Sequence, residues 1–253
     1  ERIQQNGRHG FYHGVTAQRL ADAMRQHGGL ITRNDLARYR AIERAPVRGN
    51  YHGWEIVSMA PPSSGGTALI EMLNMLESRD LRALGHNSAP YLHLLAEVMR
   101  RAFADRARFL GDPEANPQMK ETVQRLTSKS RAARLAKTIQ PDRASPSDAV
   151  RFEQAYESPE TTHYSVIDAE GNAVVVTYTL EESYGARVVA DGLGFLLNNE
   201  MGDFNPQPGR TDATGLIGTP ANEIRPGRRM LSSMTPTILR KAGRPVLLVG
   251  SPG

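Results

Sequence analysis

Between Pro141 and Glu160 the hydrophobic pattern changes period, and this change constrains the fold more than any other feature. Before it, apolar residues recur at helical spacing. "TAQRLADAMRQHG" sets Leu20, Ala23 and Met24 on one side and meets Gly28-Gly29 as a stop signal. "TRNDLARYRAI" offers Thr32 or Asn34 as an N-cap, and "SSGGTALIEMLNMLES" opens a long apolar helix with Ser or Thr available to cap it. "APYLHLLAEVMRRAFADRARFLG" carries Leu92, Leu95, Ala96, Met99 and Phe103 on one face, with Arg and Asp opposite. One strand pair interrupts the helices: "APVRGNYHGWEIVSMAPP", apolar or aromatic at Val47, Tyr51, Trp54, Ile56 and Val57, with Gly49-Asn50 as the expected turn. After the change, "THYSVID" and "AVVVTYTL" are β-branched and aromatic around a Gly171-Asn172 turn, and "GLGFLLNNEM", "LSSMTPTILR" and "PVLLVG" are strand-like. The stretch itself, "PDRASPSDAVRFEQAYESPE", loses periodicity and collects Pro, Ser and charge, the composition of a linker. Helices before and sheet after it give an α+β class.

The residue inventory narrows the chemistry. There is no cysteine, which removes disulfides, thiolate catalysis and zinc-thiolate sites together and is neutral about compartment. No apolar run approaches the ~18 residues needed to span a membrane. The net charge of +4 is mild. Lys120, Arg125, Lys129, Arg131, Arg134 and Lys137 recur along one helical stretch without interleaved aromatics, as a solvated face or an anion-binding surface would. Glu1 opens inside a helical pattern, and "PVLLVGSPG" runs up a strand into a Gly-rich turn and stops. The expectation is a fragment of a longer protein.

Several motifs carry two readings each. "PPSSGG" (61–66) before a helix is either a tight turn with a cap or an anion cradle, though it lacks the lysine and spacing of a P-loop. "GSPG" (250–253) is no nucleophile elbow, yet such a turn can present N–H groups to an oxyanion. "LLNNEMGDF" sets Glu200 beside Asp203, as a solvated turn or as a pair for an ammonium group; with no histidine close by it suits a metal poorly. Ser232 and Ser233 lie between apolar residues, so one faces inward and needs a partner, backbone or a substrate carboxylate. His93 sits in an apolar helix, and His163 alternates with Thr162 and Tyr164 and can point either way. Thr161 starts a strand directly after the linker. A threonine hydroxyl is a poor nucleophile without an adjacent base. Cleavage after Glu160 would supply one on the same residue, an α-amino group with a pKa of about 7.7–8.0.

"TTHYSVIDAEGNAVVVTYTL", "GFLLNNEMGDF", "RRMLSSMTPTI" and "VGSPG" occur in the order and spacing of the γ-glutamyltransferases, members of the N-terminal nucleophile hydrolase superfamily. Upstream, "DLARYRA", "APVRGNYHGWEIVSMAPPSSGG" and "AFADRARFLGDP" resemble that family's large subunit, so the resemblance covers nearly the whole chain. It implies a four-layer αββα sandwich, here incomplete at both ends. It also implies a proenzyme that cleaves itself at Glu160–Thr161. Residues 1–160 would belong to the helix-rich large subunit, with 141–160 as its mobile tail, and 161–253 to the small catalytic subunit, the two remaining together as a heterodimer.

By the same resemblance, Thr161 attacks the γ-glutamyl carbonyl, Thr179 hydrogen-bonds the nucleophile, and Gly253 with the residue after it forms the oxyanion hole. Ser232 and Ser233 grip the substrate α-carboxylate; Glu200 and Asp203 hold its α-ammonium, with Glu181 at the same end. The implied donor is glutathione or a related amide and the acceptor is water, an amino acid or a peptide. No cofactor, metal, nucleic acid or membrane span is implied, and the location is periplasmic or secreted. Three positions depart from the family pattern. Glu181 stands where many members have asparagine, Thr214 fills a lid position often held by an aromatic, and the substrate-binding arginine lies before Glu1. The rival on the same scaffold is a cephalosporin (glutaryl) acylase, whose donor lacks the α-amino group. An unprocessed binding homologue is the reading from another class.

Overall fold

The computed structural model describes residues 1–146, 161–205 and 220–252, which fall into two compact units. One unit takes residues 1–44 and 179–199, the other residues 45–178 and 200–253, so each draws on both sides of the 160/161 junction. Helices and antiparallel sheets make the class α+β.

In the first unit, α1 (Arg2–Asn6), α2 (His9–Tyr12), α3 (Gly14–Gln26) and α4 (Arg33–Arg38) surround a small core of Ala17, Leu20, Leu36 and Ala190, with Leu193 and Leu197 packed against it. Thr32 is the N-cap of α4. Its hydroxyl accepts from the Asp35 N–H at 3.2 Å while Asp35 accepts from the Thr32 N–H at 2.8 Å, a full capping box. Residues 192–201 are not the expected strand. Gly192 and Gly194 take φ of 67° and 71°, which no extended run accommodates, and Val189 and Leu196 make only an isolated bridge.

The second unit is built on a four-stranded antiparallel sheet of order β1-β2-β5-β6: β1 (Val47–Tyr51), β2 (Trp54–Ser58), β5 (Thr237–Lys241) and β6 (Arg244–Val249). The β1–β2 turn lies at His52-Gly53 and not at Gly49-Asn50. Both turn residues have positive φ, 47° and 81°, as the right-handed twist of a two-residue hairpin demands. Gly49 instead sits inside β1, where a Cβ would come within 2.8 Å of Ile70. That close approach lets α5 (Gly65–Leu76) lie on the sheet and seal Val47, Ile56 and Ile70.

Behind α5 pack α7 (Ala89–Phe109) and α9 (Lys129–Ala136), burying Met75, Leu94, Val98, Ala102, Ala132 and Ala136; α6 (Leu81–Leu84) and α8 (Met119–Leu126) complete the layer. The buried face of α7 is not the expected one. Leu92 and Met99 are 51% and 46% exposed, while Glu97 is 2% exposed beside Val98. Glu97 is tolerated there because Arg101 pairs with it at 2.7 Å and the Ser145 N–H donates to it at 2.9 Å. Burial pushes its carboxyl up, but the Ser145 and Arg101 bonds outweigh that and hold it at about 2. The contacts tie the start of the expected linker to α7, as does the His93 ring, which donates to the Gln140 carbonyl at 2.7 Å. The basic stretch is used in pairing: Lys129 meets Glu77 at 2.5 Å, and Arg125 lies over the Phe109 ring at 4.3 Å. A separate hairpin joins β3 (Thr161–Ile167) to β4 (Ala173–Thr179) through a turn in which Gly171 has φ 87°.

Candidate active site

The segment ahead of β5, expected as strand, is held by one isolated parallel bridge between Ser63 and Ser232 and by side chains in place of a strand ladder. Its N–H groups need acceptors, and buried polar atoms supply them. Arg229 N–H donates to Asp112 Oδ2 at 2.9 Å, Leu231 N–H to Asn222 Oδ1 at 2.8 Å, and Ser232 N–H to the Pro62 carbonyl at 3.0 Å. The Ser232 carbonyl accepts from both the N–H and the hydroxyl of Ser64, each at 2.8 Å, and Ser63 Oγ donates to the Met234 carbonyl at 2.6 Å. Ser63 and Ser64 are fully buried. "PPSSGG" is therefore a docking strip for the Ser232-Ser233 segment. Ser64 precedes α5 with no capping bond from its side chain, contrary to the expected Ser or Thr cap, because its hydroxyl is already committed. Ser232 is half-buried and its Oγ accepts from the Met234 N–H at 3.2 Å; Ser233 is exposed.

Glu200 and Asp203 open and close one 3-10 turn, both half-buried. Burial pushes the Asp203 carboxyl above the ordinary carboxylate range, while the positive charge of Arg106 and a hydrogen bond with Glu200 pull it back. Arg106 Nε also donates to Ser64 Oγ at 2.8 Å, so one guanidinium acts on the acidic turn and on the strip that carries Ser232. Asn222 joins the two more directly, donating from Nδ2 to the Asp203 carbonyl at 2.6 Å. An anionic turn and a hydroxyl-bearing segment are thus fixed in one unit, a pairing that suits a ligand with an ammonium and a carboxylate at the same end.

Thr161 is the first residue of β3 and half-buried. By strand alternation His163 and Ser165 share its face. Both His163 nitrogens are engaged, Nδ1 with Thr177 Oγ1 at 2.8 Å and Nε2 with Ser165 Oγ at 3.2 Å. Gly250 lies against that ring so closely that any Cβ would overlap it, which places the start of the "GSPG" turn beside β3. In the other unit, Thr179 Oγ1 accepts from the Glu181 N–H at 2.8 Å. Glu181 adopts φ 79° and its carboxylate accepts from the Asn199 amide, whose Oδ1 takes the Glu182 N–H at 3.1 Å. Glu160, Thr214 and Gly253 lie outside the described residues. Among the described residues no group of three or more His, Cys, Asp or Glu side chains is placed to hold a metal ion.

Sequence reasoning missed Arg106, Asp112 and Asn222, and weighed Ser63-Ser64 only as a turn, cap or cradle. No periodicity marks them: Asp112 and Asn222 bond to backbone groups outside their own elements, and Arg106 to the hydroxyl of Ser64, 42 residues away.

The sequence model of the family described as gamma-glutamyltranspeptidase matches residues 1–253. The chain is 46% identical over 255 residues to the glutathione hydrolase proenzyme of Escherichia coli (strain K12), an alignment that takes in 100% of this chain and 43% of that protein. The solved Helicobacter pylori gamma-glutamyltranspeptidase is similar with a TM-score of 0.56 and 43% identity, over 59% of this chain and 42% of that one. A cephalosporin acylase from Bacillus halodurans shares the fold, with a TM-score of 0.77 and 23% identity over 97% of this chain and 41% of that one. The chain spans less than half the length of each of these proteins. With the whole chain matched and the acidic turn, serine pair and strand-initial threonine all present, it belongs to the gamma-glutamyltranspeptidase family.

Proposed function

We propose that the protein is a γ-glutamyltransferase and glutathione hydrolase, made as a proenzyme that cleaves itself between Glu160 and Thr161. The observation that carries this is the joining of the Glu200–Asp203 turn to the Ser232-Ser233 segment in one unit. Carboxylates at one arm and hydroxyls at the other complement the α-ammonium and α-carboxylate of a γ-glutamyl donor. The freed Thr161 amine takes the hydroxyl proton as Oγ bonds to the γ-carbonyl carbon. Gly253 and the residue following it donate N–H groups to the oxyanion. Collapse of the adduct breaks the amide C–N bond, and the leaving amine takes the proton. Water or an amine acceptor then releases the glutamyl group from Thr161. Thr179 orients the nucleophile, and Glu181 adds an anionic neighbour at the ammonium end. Residues 1–160 and 161–253 contribute to the two subunits of the resulting heterodimer, arranged as a four-layer αββα sandwich. Export to the periplasm or the medium is the location proposed; among the described residues no helix is long and apolar enough to cross a membrane.

The deciding experiment compares γ-glutamyl-anilide with glutaryl-anilide hydrolysis by the protein made from its complete reading frame. The transferase reading expects preference for the first; preference for glutaryl-anilide would make the protein an acylase. Asp203→Asn should lower kcat/KM for γ-glutamyl-anilide by roughly 10- to 150-fold, the value of a hydrogen bond to a charged group, and leave glutaryl-anilide hydrolysis nearly unchanged. Equal losses on both substrates would remove Asp203 from the ammonium site.

A further inference from the structure

We infer that Asn222 is a positioning residue that sets the spacing between the two arms reading the two ends of the donor. The inference rests on the function proposed above and assigns a role to a residue that touches no substrate in that scheme. Asn222 ends a short 3-10 turn, Pro220–Asn222, and is 3% exposed. Its amide Nδ2 donates to the Asp203 carbonyl at 2.6 Å and its Oδ1 accepts from the Leu231 N–H at 2.8 Å, one residue before Ser232. Its own carbonyl accepts from the Asn205 N–H at 2.9 Å, and the Asn205 carbonyl accepts from Ile224 N–H at 3.1 Å. One residue therefore grips the acidic turn with its side-chain amide and Asn205, two residues past that turn, with its main chain, and grips the serine segment with its side-chain oxygen.

Asparagine is the residue this geometry selects. The site needs a donor and an acceptor on one short planar group, and Asn carries one of each. Aspartate keeps the acceptor for Leu231 but turns a second oxygen toward the Asp203 carbonyl, with no proton to share. Alanine leaves a buried carbonyl and a buried N–H unpaired. Either change frees the Asp203 turn to shift against Ser232. A ligand that touches both arms feels that shift; one that touches only the serine arm does not.

The test uses the protein made from its complete reading frame, with Asn222→Asp and Asn222→Ala assayed on γ-glutamyl-anilide and glutaryl-anilide. Folding is followed by thermal melting and by the appearance of two chains. The expected result for Asn222→Asp is complete cleavage, a KM for γ-glutamyl-anilide raised roughly 5- to 30-fold, little change in kcat, and a smaller preference over glutaryl-anilide. Asn222→Ala should move in the same direction. Equal losses on both substrates, an unchanged KM, or failure of both variants to fold would each overturn the inference and leave Asn222 a structural residue. A wild-type protein without γ-glutamyl preference would instead fail the functional reading itself, so the two failures are told apart.

Discussion

Thr161→Ala should leave the protein as one uncleaved chain and lower γ-glutamyl turnover by about 10⁴-fold or more, the scale on which loss of a covalent nucleophile is felt. The expectation follows from where bases are available. An unassisted threonine hydroxyl does not ionise near neutral pH, so it needs an acceptor within reach of its proton. His163 shares the face of β3 with Thr161, yet both its ring nitrogens are occupied by the hydroxyls of Thr177 and Ser165. The α-amine exposed by cleavage sits on Thr161 itself and needs no side chain to bring it close. Thr161→Ser keeps both hydroxyl and amine, so it should still cleave and retain part of the activity. Thr162→Ala should do neither harm, since its side chain points to the other side of the strand. Intact mass, with anilide release on the same samples, reads all three. Activity surviving in uncleaved Thr161→Ala protein would move the nucleophile elsewhere.

The parts of the molecule that were legible in the sequence are those governed by local rules. The N-cap of α4, which is Thr32 of the two residues offered, the strands from Val47 to Ser58 and the Gly171 turn all follow from neighbours a few residues away. What was not legible depended on partners distant in sequence. The buried stripe of α7 is rotated from the expected one because residue type alone sends acidic side chains to water, whereas Arg101 and Arg131 make Glu97 and Asp105 acceptable on the buried side. The β1–β2 turn lies off the expected Gly49-Asn50 because Gly49 is a gap cut for Ile70, which its residue type does not distinguish from a turn glycine. At the candidate site the recognisable residues are the polar ones of known chemistry, Glu200, Asp203, Ser232 and Ser233. The side chains that hold them, Asp112, Asn222, Ser63 and Ser64, bond to backbone groups, and a backbone partner leaves no trace in residue type.

Arg131→Ala should cost about 3–5 kcal/mol of stability, the largest expected effect away from Thr161. Arg131 reaches from α9 to two carboxylates, Glu71 on α5 and Asp105 on α7, each with an oxygen 2.5 Å from the guanidinium. Glu71 is 1% exposed, so two carboxyl groups share one guanidinium away from water. Burial pushes the Glu71 carboxyl up, the hydrogen bond and charge of Asp105 push it further, and Arg131 only partly offsets them, which brings it to about 9. At neutral pH Glu71 therefore holds its proton. In the unfolded chain the same carboxyl ionises near 4.5. Between those values the folded state binds more protons than the unfolded one, so this site's contribution is full below about pH 4.5 and falls as pH rises toward about 9. Glu71→Gln imitates the protonated acid. It should keep most of the stability at neutral pH and flatten the decline in melting temperature between neutral and alkaline pH. Urea unfolding across that range measures both variants, and an Arg131→Ala cost below about 1 kcal/mol would mean that water already reaches the carboxylates. The effect extends to the candidate site, because α5 begins at the Ser63-Ser64 strip that holds Ser232, and Asp105 adjoins the Arg106 that donates to Ser64. A loosened α5–α7–α9 layer should therefore weaken γ-glutamyl binding before the protein unfolds, with KM rising at urea concentrations that leave the fold intact.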